Sequence, residues 1–175
     1  HLLADDETIN AFALPGGQVF ITSALLNKLS TEGELAGVLG HEIGHVIERH
    51  GAEHIARAQL SQGLTGAAVI ASYDPNDPNS ARTPQMAALI GNLITMKYGR
   101  EDELESDRWG VRLTTQAKYD PRAMLGLMKV LQEAGGGRSA PEWQSSHPDP
   151  GNRMEKIEKA IQDEYPQGLP PDLTP

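Results

Sequence analysis

Apolar residues change their period along this chain. Two short runs, Asn10-Ala-Phe-Ala-Leu14 and Gln18-Val-Phe-Ile-Thr22, stand on either side of Pro15-Gly16-Gly17. Pro presets a negative φ and Gly supplies the positive φ of a tight turn, so two short strands around a turn are predicted. Residues 23–29 read as helical. Ser30 and Thr31 then cap a long helix, with Thr31 and Glu34 at capping-box spacing. Leu35, Val38, Leu39, Val46 and Ile47 recur at helical intervals and carry that helix to about His54. Further helices are predicted over 85–96, over 100–117, from Asp120-Pro121 to Glu133, and over 150–164. The Asp/Asn/Pro/Ser-rich stretch 72–84 reads as a loop or lid, and a second loop runs from Gly135 to Pro148. Residues 166–175 hold four prolines and are expected to lack fixed structure. The expected fold is α+β: one mainly helical domain over 1–165 with a small β-sheet or hairpin near the N-terminus, then a Pro-rich C-terminal tail over 166–175.

Charge narrows the function classes. A formal net charge of −9 over 175 residues argues against a nucleic-acid partner, because no basic surface matches a phosphate backbone. No run of eighteen apolar residues exists to span a membrane, and no segment has the form of a signal peptide. His1 reads as the start of a trimmed fragment. Cysteine is absent, which removes disulfides, thiolate ligands and Cys nucleophiles, so any metal must be held by His, Asp or Glu.

His41-Glu42-Ile43-Gly44-His45 is HExxH inside the long helix. Two His four residues apart share a helical face and can aim one nitrogen each at a single ion, while the Glu between them can act as general base on metal-bound water. On a wheel with Leu35 at zero, His41 and His45 fall at roughly 240° and 280°, on a flank of the apolar face. Glu42 falls near 340°, within that face, where a carboxylate is costly to bury without a partner or cation. An ordinary solvated helix does not place a Glu there. Gly33, Gly37, Gly40, Gly44 and Gly51 gather at roughly 140° to 200°. Each costs a helix about 1 kcal/mol relative to Ala, so the stripe predicts a closely packed neighbour rather than chemistry. His50 and His54 miss the third-ligand slot of HExxHxxGxxH and lie almost opposite the pair, which makes them surface or packing residues.

A catalytic zinc takes a third protein ligand and leaves one position open. The run Arg100-Glu-Asp-Glu-Leu-Glu-Ser-Asp107 offers carboxylates. Glu103 and Asp107 share a face, which lets Glu103 bind metal while Asp107 hydrogen-bonds a ligand His from behind. Glu101 and Glu105 point elsewhere as solvated charges. Alone, this cluster is an acidic helix start; beside HExxH it gains weight.

Together, Asn10-Ala-Phe-Ala-Leu-Pro-Gly-Gly17, Glu34-Leu-Ala-Gly-Val-Leu-Gly-His-Glu-Ile-Gly-His-Val46 and Arg100-x-x-Glu-x-Glu-Ser-Asp107 resemble the gluzincin metallopeptidase family of the CAAX prenyl endopeptidases and HtpX. The similarity runs from about residue 10 to 157 and is greatest to the soluble bacterial BepA-like and LoiP-like branch. The resemblance implies a zincin-like fold and one Zn2+ per chain held by His41, His45 and Glu103. It implies Glu42 as the base and Asp107 behind a ligand; Ser106 stands where the family usually has Ala. It also implies protein or peptide substrates, among them unfolded or misassembled envelope proteins, and a periplasmic or outer-membrane-associated location. A lipid anchor removed from the N-terminus fits that branch. Ser146-His147-Pro148 with Arg153 resembles the family's His-Pro…Arg segment. His147 has two roles open, as an oxyanion donor or as an occupant of the fourth zinc position that holds the enzyme shut, besides that of a loop residue capping the next helix. Arg153 aids the oxyanion or, the favoured reading, anchors that loop by a salt bridge. Tyr98 and Tyr119 are weaker oxyanion candidates, read as packing. The strand at 18–22 is expected to be an exposed edge that receives extended substrate by main-chain pairing. The competing classes are a chaperone-like binder with a self-inhibited zinc site and a structural metal domain.

Overall fold

A computed structural model of the chain describes residues 1–62, 97–135, 142–148 and 152–175. The loop expected at 72–84, the helix expected at 85–96 and the 136–141 part of the second loop lie outside them. Three strands, β1 (Leu2–Leu3), β2 (Ala11–Ala13) and β3 (Val19–Thr22), lead into a short helix α1 (Ser23–Leu26). There follow α2 (Glu32–Ile47), α3 (His50–Gln62), α4 (Arg100–Gln116), α5 (Ala123–Gly135), α6 (Glu142–Ser146) and α7 (Arg153–Glu164). The mainly helical α+β expectation stands, and α6 replaces part of what was expected as loop.

The β2–β3 hairpin pairs Ala11 with Ile21, Phe12 with Phe20 and Ala13 with Val19. Gly17 closes its turn at φ 90°. Strand alternation puts Ala11, Ala13 and Ile21 on the buried face and stacks Phe12 on Phe20 across the other, with centroids 5.0 Å apart. β1 adds to β3 in parallel, giving the order β1-β3-β2. The expectation of β3 as an exposed edge is therefore corrected: it lies in the middle, with both rows of main-chain groups occupied, and among the described residues the edges are β1 and β2. Two residues at the start of the chain, too few to give a period, close the edge that the hairpin alone would leave open.

Thr31 caps α2 by accepting from the Glu34 amide at 3.1 Å. Glu34 reaches back to the amide of Ser30, one residue earlier than a reciprocal box would have it. The glycine stripe faces close neighbours at Gly33, Gly37, Gly40 and Gly44, while Gly51, expected to continue it, belongs to α3. α2 runs antiparallel to α4: a Cβ on Gly40 would lie 3.2 Å from Gly110 Cα, and one on Gly44 would lie 2.9 Å from Ser106 Cα. Ser106 itself is fully buried at this contact, which is why only a small residue fits there. α5 closes the other end of the stripe with Met124 against Gly37. Leu25, Val38, Val111, Leu127 and Ile157 fill the core between these helices and α7.

Two expectations about chain course are corrected. The long helix does not continue to His54; it stops at Glu48 and Arg49, where Arg49 takes φ 62°, and α3 starts anew at His50. No Gly, Asn or Pro marks this stop. A left-handed non-glycine residue costs roughly 1–2 kcal/mol, and tertiary contacts on each side offset it: Trp109 donates to Glu48, and His50 is buried beneath α2. The tail over 166–175 is also ordered. Thr174 bridges to Tyr119, exchanging main-chain bonds with Lys118 and Asp120, and the Pro175 carbonyl accepts from Gly33 in the first turn of α2. That amide has no partner within its own helix, so the tail satisfies it.

Candidate metal centre

The HExxH spacing works locally because α2 is regular from Glu32 to Ile47, so His41 and His45 rise one turn apart on its flank. α4 lies antiparallel beside it and brings Glu103 and Asp107 alongside; His147 follows the last residue of the short α6. One ligand atom each from His41, His45, Glu103 and His147 lies within 4.8 Å of all the others. His41 Nε2 is 3.1 Å from His45 Nε2 and 3.3 Å from His147 Nδ1. Glu103 stands 3.4 Å from His45 Nε2, 3.6 Å from His41 Nε2 and 2.9 Å from His147 Nδ1. A tetrahedral zinc with bonds near 2.0–2.1 Å has edges of about 3.3 Å between ligand atoms. These separations are close to that figure.

Charge agrees with geometry. Glu42, Glu103 and Asp107 are all buried, and Arg153 is the buried guanidinium among them. The set retains an excess of negative charge in a low-dielectric interior, which favours a divalent cation. Glu42 is 0% exposed; Trp143 Nε1 donates to its Oε1 at 3.2 Å, while Oε2 has no hydrogen bond among the described residues. The apolar-face position read from the wheel is thus a position against Trp143 beside the ligand set.

The remaining expected residues gather around this set. His41 Nδ1 donates to Asp107 Oδ1 at 2.9 Å. Arg153 grips Asp107 with Nε and Nη2 at 2.9 and 2.8 Å, and its Nη1 is 3.0 Å from Glu103 Oε2. Burial alone would raise the Asp107 carboxyl, yet the Arg153 charge and the His41 bond hold it below its ordinary value. Glu103 is likewise opposed by burial, but His147 and the bonds from His147 and His45 hold it well below the carboxylate range. Burial keeps the His45 imidazole well below the usual histidine value, against the pull of Glu103. For His147 burial pushes down, while Glu103 and Glu42 outweigh it and push the value up. His147 also stacks on Trp143, with centroids 4.6 Å apart.

Tyr98 lies flat on His45, centroids 3.8 Å apart, and Tyr119 bonds Glu32 at the surface. Two residues of the site are not evident from the sequence. Trp143 carried no periodic signal. A continuous helix would set His50 almost opposite the ligands, but the stop at Arg49 turns it back until its Nδ1 lies 3.0 Å from His45 Nδ1. Glu105, expected to be a free surface charge, meets His50 Nε2 at 3.1 Å. His54 pairs with Asp102 at 2.9 Å.

Comparison with known proteins gives a consistent result. The model of Peptidase family M48 matches residues 1–161. The chain is 35% identical to the protein named Metalloendopeptidase OMA1, mitochondrial, of Bos taurus, over 95% of this chain and 32% of that protein. It is 34% identical to the Beta-barrel assembly-enhancing protease of Escherichia coli (strain K12), over 87% of this chain and 32% of that one. The chain thus spans about a third of the length of these curated relatives. No helix among the described residues is long and apolar enough to cross a membrane.

Proposed function

The chain belongs to peptidase family M48, and from that premise we propose that it is a zinc-dependent endopeptidase in which His41, His45 and Glu103 hold one zinc ion and Glu42 moves the proton. The observation that carries this reading is the convergence of those ligand atoms, within 4.8 Å, beside a buried carboxylate one of whose oxygens has no hydrogen bond among the described residues. Zinc held there would acidify a water molecule and polarise a peptide carbonyl. The protein's own part follows from its contacts. The indole N–H of Trp143 fixes Oε1 of Glu42, which leaves Oε2 to accept a proton from the attacking water and deliver it to the leaving amine. Asp107 fixes the proton of His41 on Nδ1, so the Nε2 lone pair faces the other ligands. Arg153 spends its nitrogens on Asp107 and Glu103, which supports the anchoring role over that of an oxyanion donor.

The test is Glu42→Gln, purified beside the parent chain, with bound zinc quantified and casein cleavage followed. Both proteins should hold one zinc, and cleavage should fall by about 10²-fold to 10⁴-fold or more in the variant. Undiminished cleavage by the variant would remove Glu42 from the chemistry, and a parent chain without zinc would remove the ligand assignment.

One observation favours a second state of the same site. His147 Nδ1 sits among the ligand atoms, 3.3 Å from His41 Nε2 and 2.9 Å from Glu103, where a fourth ligand belongs. In this reading His147 closes the fourth position at rest and the chain holds unfolded clients more often than it cuts them. His147→Ala should then raise cleavage; a loss would make His147 an oxyanion donor instead. Extended clients pair with β2, on whose outer side no described strand lies and whose end, Ala13, shares a cleft with His45 and Tyr98. Misassembled envelope proteins as clients, in a periplasmic or outer-membrane setting, are supported by the likeness to the Escherichia coli protease, and a mitochondrial setting by the other relative. Fractionation of the source cells decides between them.

A further inference from the structure

Among the described residues His45 Nδ1 meets His50 rather than a carboxylate, whereas His41 Nδ1 meets Asp107. From the geometry behind His45 we infer that Glu105 and His50 form a relay that holds His45 in the tautomer whose Nε2 lone pair faces the metal. His50 is thereby a positioning residue. The inference rests on the zinc-centre reading above.

The polarity of the relay starts at its outer end. An ionised carboxylate only accepts, so with Glu105 Oε2 at 3.1 Å the proton of a neutral His50 sits on Nε2. That leaves a lone pair on His50 Nδ1. His45 Nδ1 meets it at 3.0 Å, while the Ser106 hydroxyl stands at 3.5 Å, beyond a good bond. His45 therefore donates from Nδ1, and its lone pair lies on Nε2, the atom 3.1 Å from His41 Nε2 and 3.4 Å from Glu103. The opposite polarity at His50 would set two N–H groups against each other or turn the His45 lone pair away from the ligand set. Asp102, whose Oδ1 is 3.9 Å from His50 Nε2, reinforces the same direction. The Tyr98 ring stacked on His45 fixes the plane in which this bond is made. The left-handed Arg49 and the helix stop are what bring His50 into line, which gives that costly backbone feature a use at the site.

Zinc affinity, measured by competition with a fluorescent chelator on the purified chain, tests the relay. The Asn side chain presents its amide where His carries Nδ1, and the Gln side chain where His carries Nε2. His50→Asn can accept from His45 and should stay within about threefold of the parent, whereas His50→Gln and His50→Ala should lose about 10- to 100-fold. Equal losses in Asn and Gln, or parental affinity in all three, would overturn the inference. Should the His50 variants not fold, the surface end of the relay decides. The Glu105 side chain is 49% exposed. Glu105→Ala should cost about tenfold in affinity, and Glu101→Ala, which removes the same charge from the exposed first turn of α4, should cost nothing. Equal effects of the two would overturn the relay. A parent chain that binds no zinc overturns the zinc-centre reading itself, which is distinct from a parent that binds zinc as tightly as every variant.

Discussion

Replacing Gly44 with alanine adds one methyl group at the closest approach of α2 to α4. The new Cβ would stand 2.9 Å from Ser106 Cα, 2.9 Å from Trp109 Cβ and 3.0 Å from the Ser106 carbonyl oxygen. Ordinary carbon contacts begin near 3.5 Å, so the helices must part by about 0.6 Å. No flexible side-chain end is there to yield. Alanine improves helix propensity by about 1 kcal/mol, and overpacking costs about 1–3 kcal/mol, so the net loss of stability is small, from about 0 to 2 kcal/mol. At about 2–4 °C per kcal/mol for a chain of this length, the Tm should fall by no more than roughly 8 °C. The metal centre is more sensitive. His45 follows Gly44 directly, and Glu103 lies one turn from Ser106. Separating them by about 0.6 Å exceeds the ~0.2 Å latitude of metal–ligand distances about threefold. Zinc affinity measured by chelator competition should drop at least about tenfold. Gly37→Ala is the control: its clash, 2.8 Å to Met124 Cγ, falls on α5 rather than on α4, the helix that bears Glu103, and the variant should keep its zinc. A Gly44→Ala protein with parental affinity and a raised Tm would refute the idea that the α2–α4 contact sets the ligand spacing.

Other outcomes follow from single contacts. Trp143→Phe keeps the ring beside His147 but removes the donor to Glu42, and a bond to a charged group is worth about 1.5–3 kcal/mol; casein cleavage should fall about 10- to 100-fold with far-ultraviolet circular dichroism unchanged. Arg153→Leu leaves Asp107 and Glu103 buried without their cation, and urea unfolding should show a loss of about 3–5 kcal/mol at neutral pH. Because Asp107 is held below its ordinary value, its contribution is present above an unfolded pKa of about 3.9 and is lost as pH falls through the folded value. The parent should therefore lose more stability than Arg153→Leu between neutral pH and pH 3. Deleting 166–175 removes the bonds to Gly33, Lys118 and Asp120 and should destabilise by about 2–4 kcal/mol; a Tm unchanged by the deletion would show that the docked tail contributes nothing.

What the sequence determined by itself is what depends on neighbours within a turn. Four-residue spacing fixes His41 and His45 on one flank of α2, and Glu103 and Asp107 on one face of α4, because helical geometry acts between i and i+4 whatever surrounds it. The Thr31 cap, the Pro15–Gly17 turn and the glycine stripe were legible for the same reason: each states a backbone requirement in its own residue type. Only the tertiary structure decided the rest. β3 is central because two residues near the start of the chain pair with it, a choice no local period encodes. The tail is ordered because the amides of Gly33 and Asp120 needed acceptors that their own helix and turn could not provide. Arg49 goes left-handed against its propensity, held by contacts from α4, and that one dihedral carries His50 from the far side of a notional helix to the back of His45. His147 and Trp143 reach Glu42 and Glu103 from more than forty residues away in sequence. Their side chains meet because burying these carboxylates demands donors, and that demand is satisfied where α2, α4, α6 and α7 converge.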